Sequence, residues 1–261
     1  MVNIINPLKE DIKITVPDKM KQICFDVGLA GEAVNSGVWL AETTDRFVVG
    51  IEPLNYHWKM ITNFATANTP RPWPDHIPVV QLEEGVVKYQ GKNVSSIGER
   101  FLGIECAIDN VKSIEKKTFY KMDKKMGASG SSSLLKPSSE HPHFVEEELT
   151  VPVVSLEKIL DHIDWERFPY IEHIKTDCEG KDFDVVQSIG KYLDRVLLIT
   201  SELSESNKTH WEGVKEHSKF REWMRDNGFV EHNRGDNVTF INTNLQSQVG
   251  QGNFYYNMWN E

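Results

Sequence analysis

Cysteine is scarce in this chain, with three among 261 residues, and so small and odd a number does not describe a disulfide framework. Reduced thiols in a reducing compartment are the simpler account, with Cys24, Cys106 and Cys178 serving as small buried apolar side chains. Long apolar runs are missing too. Residues 1–18 carry no signal-peptide core and no stretch is long enough to span a bilayer, so the expected location is cytoplasmic. Basic residues fall short of acidic ones, 29 Lys and Arg against 39 Asp and Glu, for a formal net charge of -10. Such a balance repels phosphate backbones and anionic lipid, which argues against nucleic acid as a partner. One basic run stands out, with Lys112, Lys116, Lys117, Lys121, Lys124 and Lys125 close together. It reads either as a solvated face or as a place for an anionic group.

Short apolar blocks are plentiful. Ile23-Cys24-Phe25-Asp26-Val27, Phe47-Val48-Val49-Gly50-Ile51, Gly103-Ile104-Glu105-Cys106-Ala107-Ile108, Ile171-Glu172-His173-Ile174-Lys175-Thr176 and Val196-Leu197-Leu198-Ile199-Thr200 each read as a strand of a buried parallel sheet. Helical patterns lie between several of them, one carrying Ala33, Val34, Val38, Trp39 and Leu40 and another over residues 214–227. The order predicts an α/β fold of Rossmann-like type, mostly parallel, folded as one domain over residues 1–261. Phe229-Val230-Glu231-His232 and Val238-Thr239-Phe240-Ile241-Asn242 flank Asn233-Arg234-Gly235-Asp236-Asn237, which predicts an antiparallel final hairpin. Residues 1–20 read as an N-terminal extension. Pro70, Pro72, Pro74 and Pro78 mark a surface excursion, and the Gly/Ser-rich residues 127–143 a mobile loop. Phe254, Tyr255, Tyr256 and Trp259 are expected to pack on the sheet or on a neighbouring subunit.

Ligands of such sheets bind beyond the carboxyl ends of the strands, so residues at the strand exits converge on one crevice. Asp26-Val27-Gly28-Leu29-Ala30-Gly31 has the form of a cofactor turn, and Glu52 ends the next strand 24 residues after Gly28, where an acid commonly accepts hydrogen bonds from ribose hydroxyls. A Gly-x-Gly-x-x-Gly dinucleotide turn is absent, because Asp26-x-Gly28-x-x-Gly31 lacks its third glycine. An acid just before the glycine suits a positively charged ligand instead. S-adenosyl-L-methionine carries an ammonium and a sulfonium and no phosphate.

Over residues 23–242 the sequence resembles the FkbM-like methyltransferases. The resemblance is carried by Asp26-Val27-Gly28-Leu29, Val49-Gly50-Ile51-Glu52-Pro53, Ser131-Ser132-Ser133-Leu134, Val151-Pro152-Val153-Val154-Ser155-Leu156 and, most specifically, Ile174-Lys175-Thr176-Asp177-Cys178-Glu179-Gly180-Lys181-Asp182-Phe183. It implies a seven-stranded class I methyltransferase sheet, S-adenosyl-L-methionine as donor, and transfer to an oxygen of a sugar, glycan or similar small molecule. By position it implies that Asp26, Gly28 and Leu29 form the methionine-end turn, that Glu52 and Pro53 meet the ribose, that Ala107 and Ile108 edge the adenine, and that Ser132, Ser133 and Asp177 also touch the cofactor. Asn35, Ser36 and Glu202 then face the acceptor, and Asp177 and Glu179 fall at the reaction centre. The first motif departs from the family pattern, with Glu32 where a glycine usually stands and Gly31 before it.

An unactivated alcohol needs a base or a bound cation as the new bond forms. Asp177 and Glu179, two residues apart at a strand exit, either divide proton transfer between them or share a divalent ion. His141-Pro142-His143 offers two imidazoles with no third ligand nearby in sequence. Two other readings stand beside the methyltransferase: a nucleotide-dependent oxidoreductase on a similar sheet, and a catalytically silent binding protein that has kept the fold.

Overall fold

A computed structural model describes residues 3–31, 33–62, 87–89, 92–94, 99–123, 128–233 and 235–249. The proline-rich excursion and the aromatic residues near the end lie outside these, as do Lys124, Lys125 and Arg234.

The main sheet contains β1 (Asn3–Ile5), β2 (Gln22–Val27) and β3 (Arg46–Ile51), with helix α1 (Val34–Glu42) crossing from β2 to β3 and α2 (Asn55–Thr62) following β3. A separate two-stranded ribbon pairs β4 (Val87–Tyr89) with β5 (Lys92–Val94). Next come β6 (Phe101–Ile104) in the main sheet, then β7 (Ala107–Ile108), β8 (Glu115–Met122) and β9 (Val145–Val154), which form a three-stranded sheet in the order β7-β9-β8. The chain returns to the main sheet through α3 (Leu156–Leu160), β10 (Ile171–Thr176), α4 (Asp182–Gln187), β11 (Val196–Glu202), α5 (Glu205–His210), α6 (His217–Asp226), β12 (Phe229–Glu231) and β13 (Asn237–Asn242), and α7 (Thr243–Val249) follows. The strand order is β1-β6-β3-β2-β10-β11-β13-β12, parallel from β1 to β11 and antiparallel in the final pairs.

Alternation along the strands explains why both faces are covered. Phe25 and Val27 of β2 with Phe47, Val49 and Ile51 of β3 enter one core cluster, whereas Cys24 and Val48 enter a second with Trp39 and Leu40 of α1 and Trp58 of α2. Trp39 is thus a packing residue, its ring 4.9 Å from that of His173.

Three features differ from the sequence expectations. The sheet has eight strands, not seven, because Asn3–Ile5 pairs in parallel with β6 and adds an edge strand. The apolar block 103–108 is two strands, since Cys106 N–H donates to Ile104 O at 3.1 Å and bends the chain away, and Ala107–Ile108 pairs with β9 instead. Lys116, Lys117 and Lys121 of the basic run belong to β8, whose antiparallel partner β9 carries Glu146, Glu147 and Glu148. Lys121 lies 3.3 Å from Glu146 and 3.4 Å from Glu147, and Lys117 2.9 Å from Asp109, so these two charges are neutralised within the fold.

Arg46 anchors one face of the sheet. Its side chain is 2% exposed, donates Nε and Nη2 to the two oxygens of Glu172 on β10 at 3.1 and 3.0 Å, and reaches Glu42 and the Trp39 carbonyl of α1. Removing one member of a buried ionic network leaves the others uncompensated. Arg46→Met is expected to lower unfolding free energy in urea by roughly 3–5 kcal/mol, and the double change Arg46→Met, Glu172→Leu to recover part of the loss.

Candidate active site

The site begins where β2 ends. Gly28 has φ +76°, and a Cβ there would fall 2.0 Å from the carbonyl oxygen of Asp177, so only glycine lets the exits of β2 and β10 meet. Two hydrogen bonds lace the neighbouring exits together, Gly28 N–H to Ile51 O at 2.9 Å and Asp177 N–H to Val27 O at 3.0 Å. Beyond the glycine, Ala30 and Ala33 hold left-handed backbone, with φ of 53° and 45°. Ala33 precedes α1 and offers no side-chain cap, and Asp26 takes that role from the strand. Its Oδ2 accepts from Ser36 N at 2.9 Å and from Ser36 Oγ at 2.6 Å. Burial raises the Asp26 pKa, and the bonds from Ser36 and the nearby Lys175 charge work against that rise.

Glu52, 4% exposed, ties the end of β3 to the same turn. Its Oε1 accepts from Leu54 N at 2.8 Å and lies 3.1 Å from His57 Nδ1, while Oε2 accepts from Ala30 N at 3.2 Å. Carboxylate oxygens accept more than one bond each, so lone pairs remain for a ligand diol. A cleft of about 470 Å³, open to solvent, runs past these groups, bordered by Gly28, Glu52 and Pro53, by Ala107, Ile108, Phe119 and Leu134, and by Ser132, Asp177 and Lys181. The β7-β9-β8 sheet contributes the apolar part of this wall. Cys106 and Cys178 also line it, with burial pushing both thiols up, so neither is a thiolate.

Beside Asp177 a second group of carboxylates gathers. Asp177, Glu179 and Glu202 each place an oxygen within 4.8 Å of the others'. Asp177 is paired with Lys175 at 3.1 Å. Burial disfavours the Lys175 ammonium, but Asp177 and Asp182 outweigh it and raise its pKa. Among the described residues Glu179 and Glu202 form no ion pair, and the Lys175 charge only partly offsets the rise at Glu202. Burial and then the charge of Glu202 and Asp177 push Glu179 well above the carboxylate range, and burial with the charges of Asp177 and Asp182 pushes Glu202 up to about 8. Asp182 is raised to about 6 by burial and anchors the loop from below, accepting from Thr176 Oγ1 at 2.6 Å and Cys178 N at 3.4 Å. Glu179 itself has φ 50°, a conformation that costs a non-glycine residue roughly 1–3 kcal/mol and persists only where its surroundings enforce it. Ser133 supplies part of that enforcement, donating Oγ–H to the Glu179 carbonyl at 2.9 Å.

The sequence-derived residues therefore divide. Gly28, Glu52, Pro53, Ala107, Ile108, Ser132 and Asp177 line the cleft. Glu179 and Glu202 join Asp177 in the carboxylate group. Asp26 and Ser36 bond each other and, with Leu29, Asn35 and Ser133, lie behind the lining. Sequence reading assigned no role to Lys175, Lys181, His57, Asn207 and Trp211. Lys175 had a readable signal, since residues two apart on a strand share a side and it precedes Asp177 by two.

The native state holds protons on Glu202 that the unfolded chain releases from about pH 4.5 upward, so this group's contribution to stability is present at low pH and lost as pH rises toward about 8. Glu202→Gln is accordingly expected to gain on the wild type between about pH 5 and pH 8, by on the order of 1 kcal/mol in urea unfolding. An unchanged pH dependence removes Glu202 from this account.

No curated protein matches the chain. Residues 38–231, more than half of its length, match the family model of the methyltransferase FkbM domain, a stretch that starts inside α1 and ends with β12. With an eight-stranded, mostly parallel sheet whose strand exits meet in one cleft, this chain belongs to the FkbM methyltransferase family.

Proposed function

We propose that the protein moves a methyl group from S-adenosyl-L-methionine to a hydroxyl oxygen of a sugar, glycan or similar small metabolite. The observation that carries the reading is the convergence of Asp177, Glu179 and Glu202 beside a cleft that also holds the buried Glu52.

The donor set fits a nucleoside without phosphates. Glu52 suits a ribose diol, and Ala107, Ile108, Phe119 and Leu134 offer apolar surface to a flat ring. Lys181, the lysine of the lining among the described residues, is 2.9 Å from both Asp109 and Asp184, which leaves little for a pyrophosphate and disfavours the dinucleotide oxidoreductase. When bound, the sulfonium supplies an electrophilic methyl carbon. The acceptor hydroxyl must lose its proton as the new bond forms, and the Glu179 and Glu202 pair takes it. A carboxylate of ordinary acidity is a weak base toward an alcohol, so the raised pKa of this pair makes its ionised form the stronger acceptor. Asp177 is paired with Lys175 at the cleft wall. We assign the cluster to proton transfer, since a bound proton relieves the burial cost and mutual repulsion of these carboxylates. The reading carries with it a cytoplasmic setting and an acceptor other than nucleic acid. Among the described residues, no helix is long and apolar enough to cross a membrane.

With methyl-labelled S-adenosyl-L-methionine and a panel of neutral monosaccharides and methyl glycosides, label is expected in a methyl ether. Glu179→Gln should slow that transfer by about 100-fold or more while the dissociation constant of S-adenosylhomocysteine stays within about two-fold. Wild-type rate should climb with pH through a midpoint well above the usual carboxylate range. Retained turnover in both Glu179→Gln and Asp177→Asn rules the carboxylates out of the mechanism. In thermal melts S-adenosylhomocysteine should raise the midpoint and NAD should not; the reverse result restores the oxidoreductase.

A further inference from the structure

Helix α5 and Trp211, the residue that caps its C-terminal end, each touch one of the carboxylate pair. Asn207 Nδ2 donates to Glu202 Oε2 at 2.8 Å, and Trp211 Nε1 donates to Glu179 Oε2 at 3.3 Å. The two donors are four residues apart and so stand on one side of a helical turn, which Trp211 N–H continues by bonding Asn207 O at 3.2 Å. We infer that Asn207 and Trp211 are positioning residues for methyl transfer, a two-pronged set of neutral N–H donors that fixes the orientation of the Glu179 and Glu202 carboxylates.

Neutrality is what makes these donors suitable. An arginine or lysine in their place would hold both glutamates ionised at low pH and leave weak bases. An amide and an indole orient the carboxylate and satisfy one oxygen at a smaller effect on basicity. The Oε1 atoms of both glutamates form no hydrogen bond among the described residues.

Trp211 is built to stay put. It is 2% exposed and packs with Met122, Leu135 and Val214. Its backbone is gripped from the other side by residues 136–138, through Glu212 N–H to Lys136 O at 2.9 Å and Ser138 N–H to His210 O at 2.8 Å. The charged and titratable groups around the pair are Asp177, Asp182 and Lys175 from β10 and α4, and His141, whose ring meets that of Trp211 edge-on at 4.6 Å. Packing alone would account for a buried aromatic ring, but not for an indole N–H aimed at a carboxylate that holds left-handed backbone.

The role rests on the reading of Glu179 as part of the base, and the test separates the two. In nitrogen-15 spectra of the full chain bound to S-adenosylhomocysteine, the Trp211 indole and Asn207 amide signals are expected to shift together as pH rises, at a midpoint well above the usual carboxylate range, because each carboxylate feels the charge of the other. Glu179→Gln should abolish the shift at the indole, which also identifies that signal if Trp211→Phe does not fold. Where Trp211→Phe folds, the acid limb of the rate profile should move up by about one pH unit with little change in S-adenosylhomocysteine affinity. An indole signal that stays flat, or that still titrates in Glu179→Gln, overturns the positioning role even if Glu179→Gln is inactive. Full turnover in Glu179→Gln overturns the base assignment and the role together.

Discussion

The approach of the β2 exit to the β10 exit sets the geometry of everything at this end of the sheet. Gly28 abuts the Asp177 carbonyl with no room for a side chain, and the two hydrogen bonds beside it tie three adjacent strand ends into one platform. From that platform Asp26 caps α1, Glu52 reaches back to the Ala30 amide, and Asp177 starts the loop that carries Glu179. Asp26 and Glu202 stand on strands, Glu52 and Asp177 one residue beyond them, and Glu179 on a loop that Ser133 and Trp211 pin, which is how side chains are kept within the tolerances that catalysis requires.

Gathering several acids in a partly buried space is unfavourable, and the fold answers the repulsion unevenly. Asp177 receives the ammonium of Lys175, while Glu179 and Glu202 receive neutral donors and keep a raised proton affinity. Carboxylates a few ångströms apart are thus given unlike neighbours, a cation in one case and neutral donors in the others. The strained backbone at Glu179 belongs to the same economy, since it persists where Ser133 and Trp211 hold its carbonyl and its carboxylate at once.

Much of this was legible from sequence because it depends on local pattern. The apolar blocks at 23–27, 47–51, 171–176 and 196–200 are strands for the reason that made them readable, burial on both faces. Gly28 and Glu52 announce themselves by type and spacing after a strand. The β8-β9 ribbon did not, because charged residues interrupt its apolar pattern and its pairing joins residues far apart in sequence, as with Lys121 and Glu147, 26 positions apart. Asp26 illustrates a subtler limit: its place at a turn suggests a ligand contact, while nothing local tells that its Oδ2 also serves a helix end ten residues on. Asn207 and Trp211 depend on where α5 comes to rest, which no local signal encodes.

The main sheet closes at both borders with three-residue strands, Asn3–Ile5 on one side and Phe229–Glu231 on the other. A stranger chain seeking to add itself by backbone pairing finds only a brief row of open amides and carbonyls at either margin. The long central strands that give the domain its strength are thereby shielded from edge-to-edge stacking, so short borders act as a guard against self-association of the sheet.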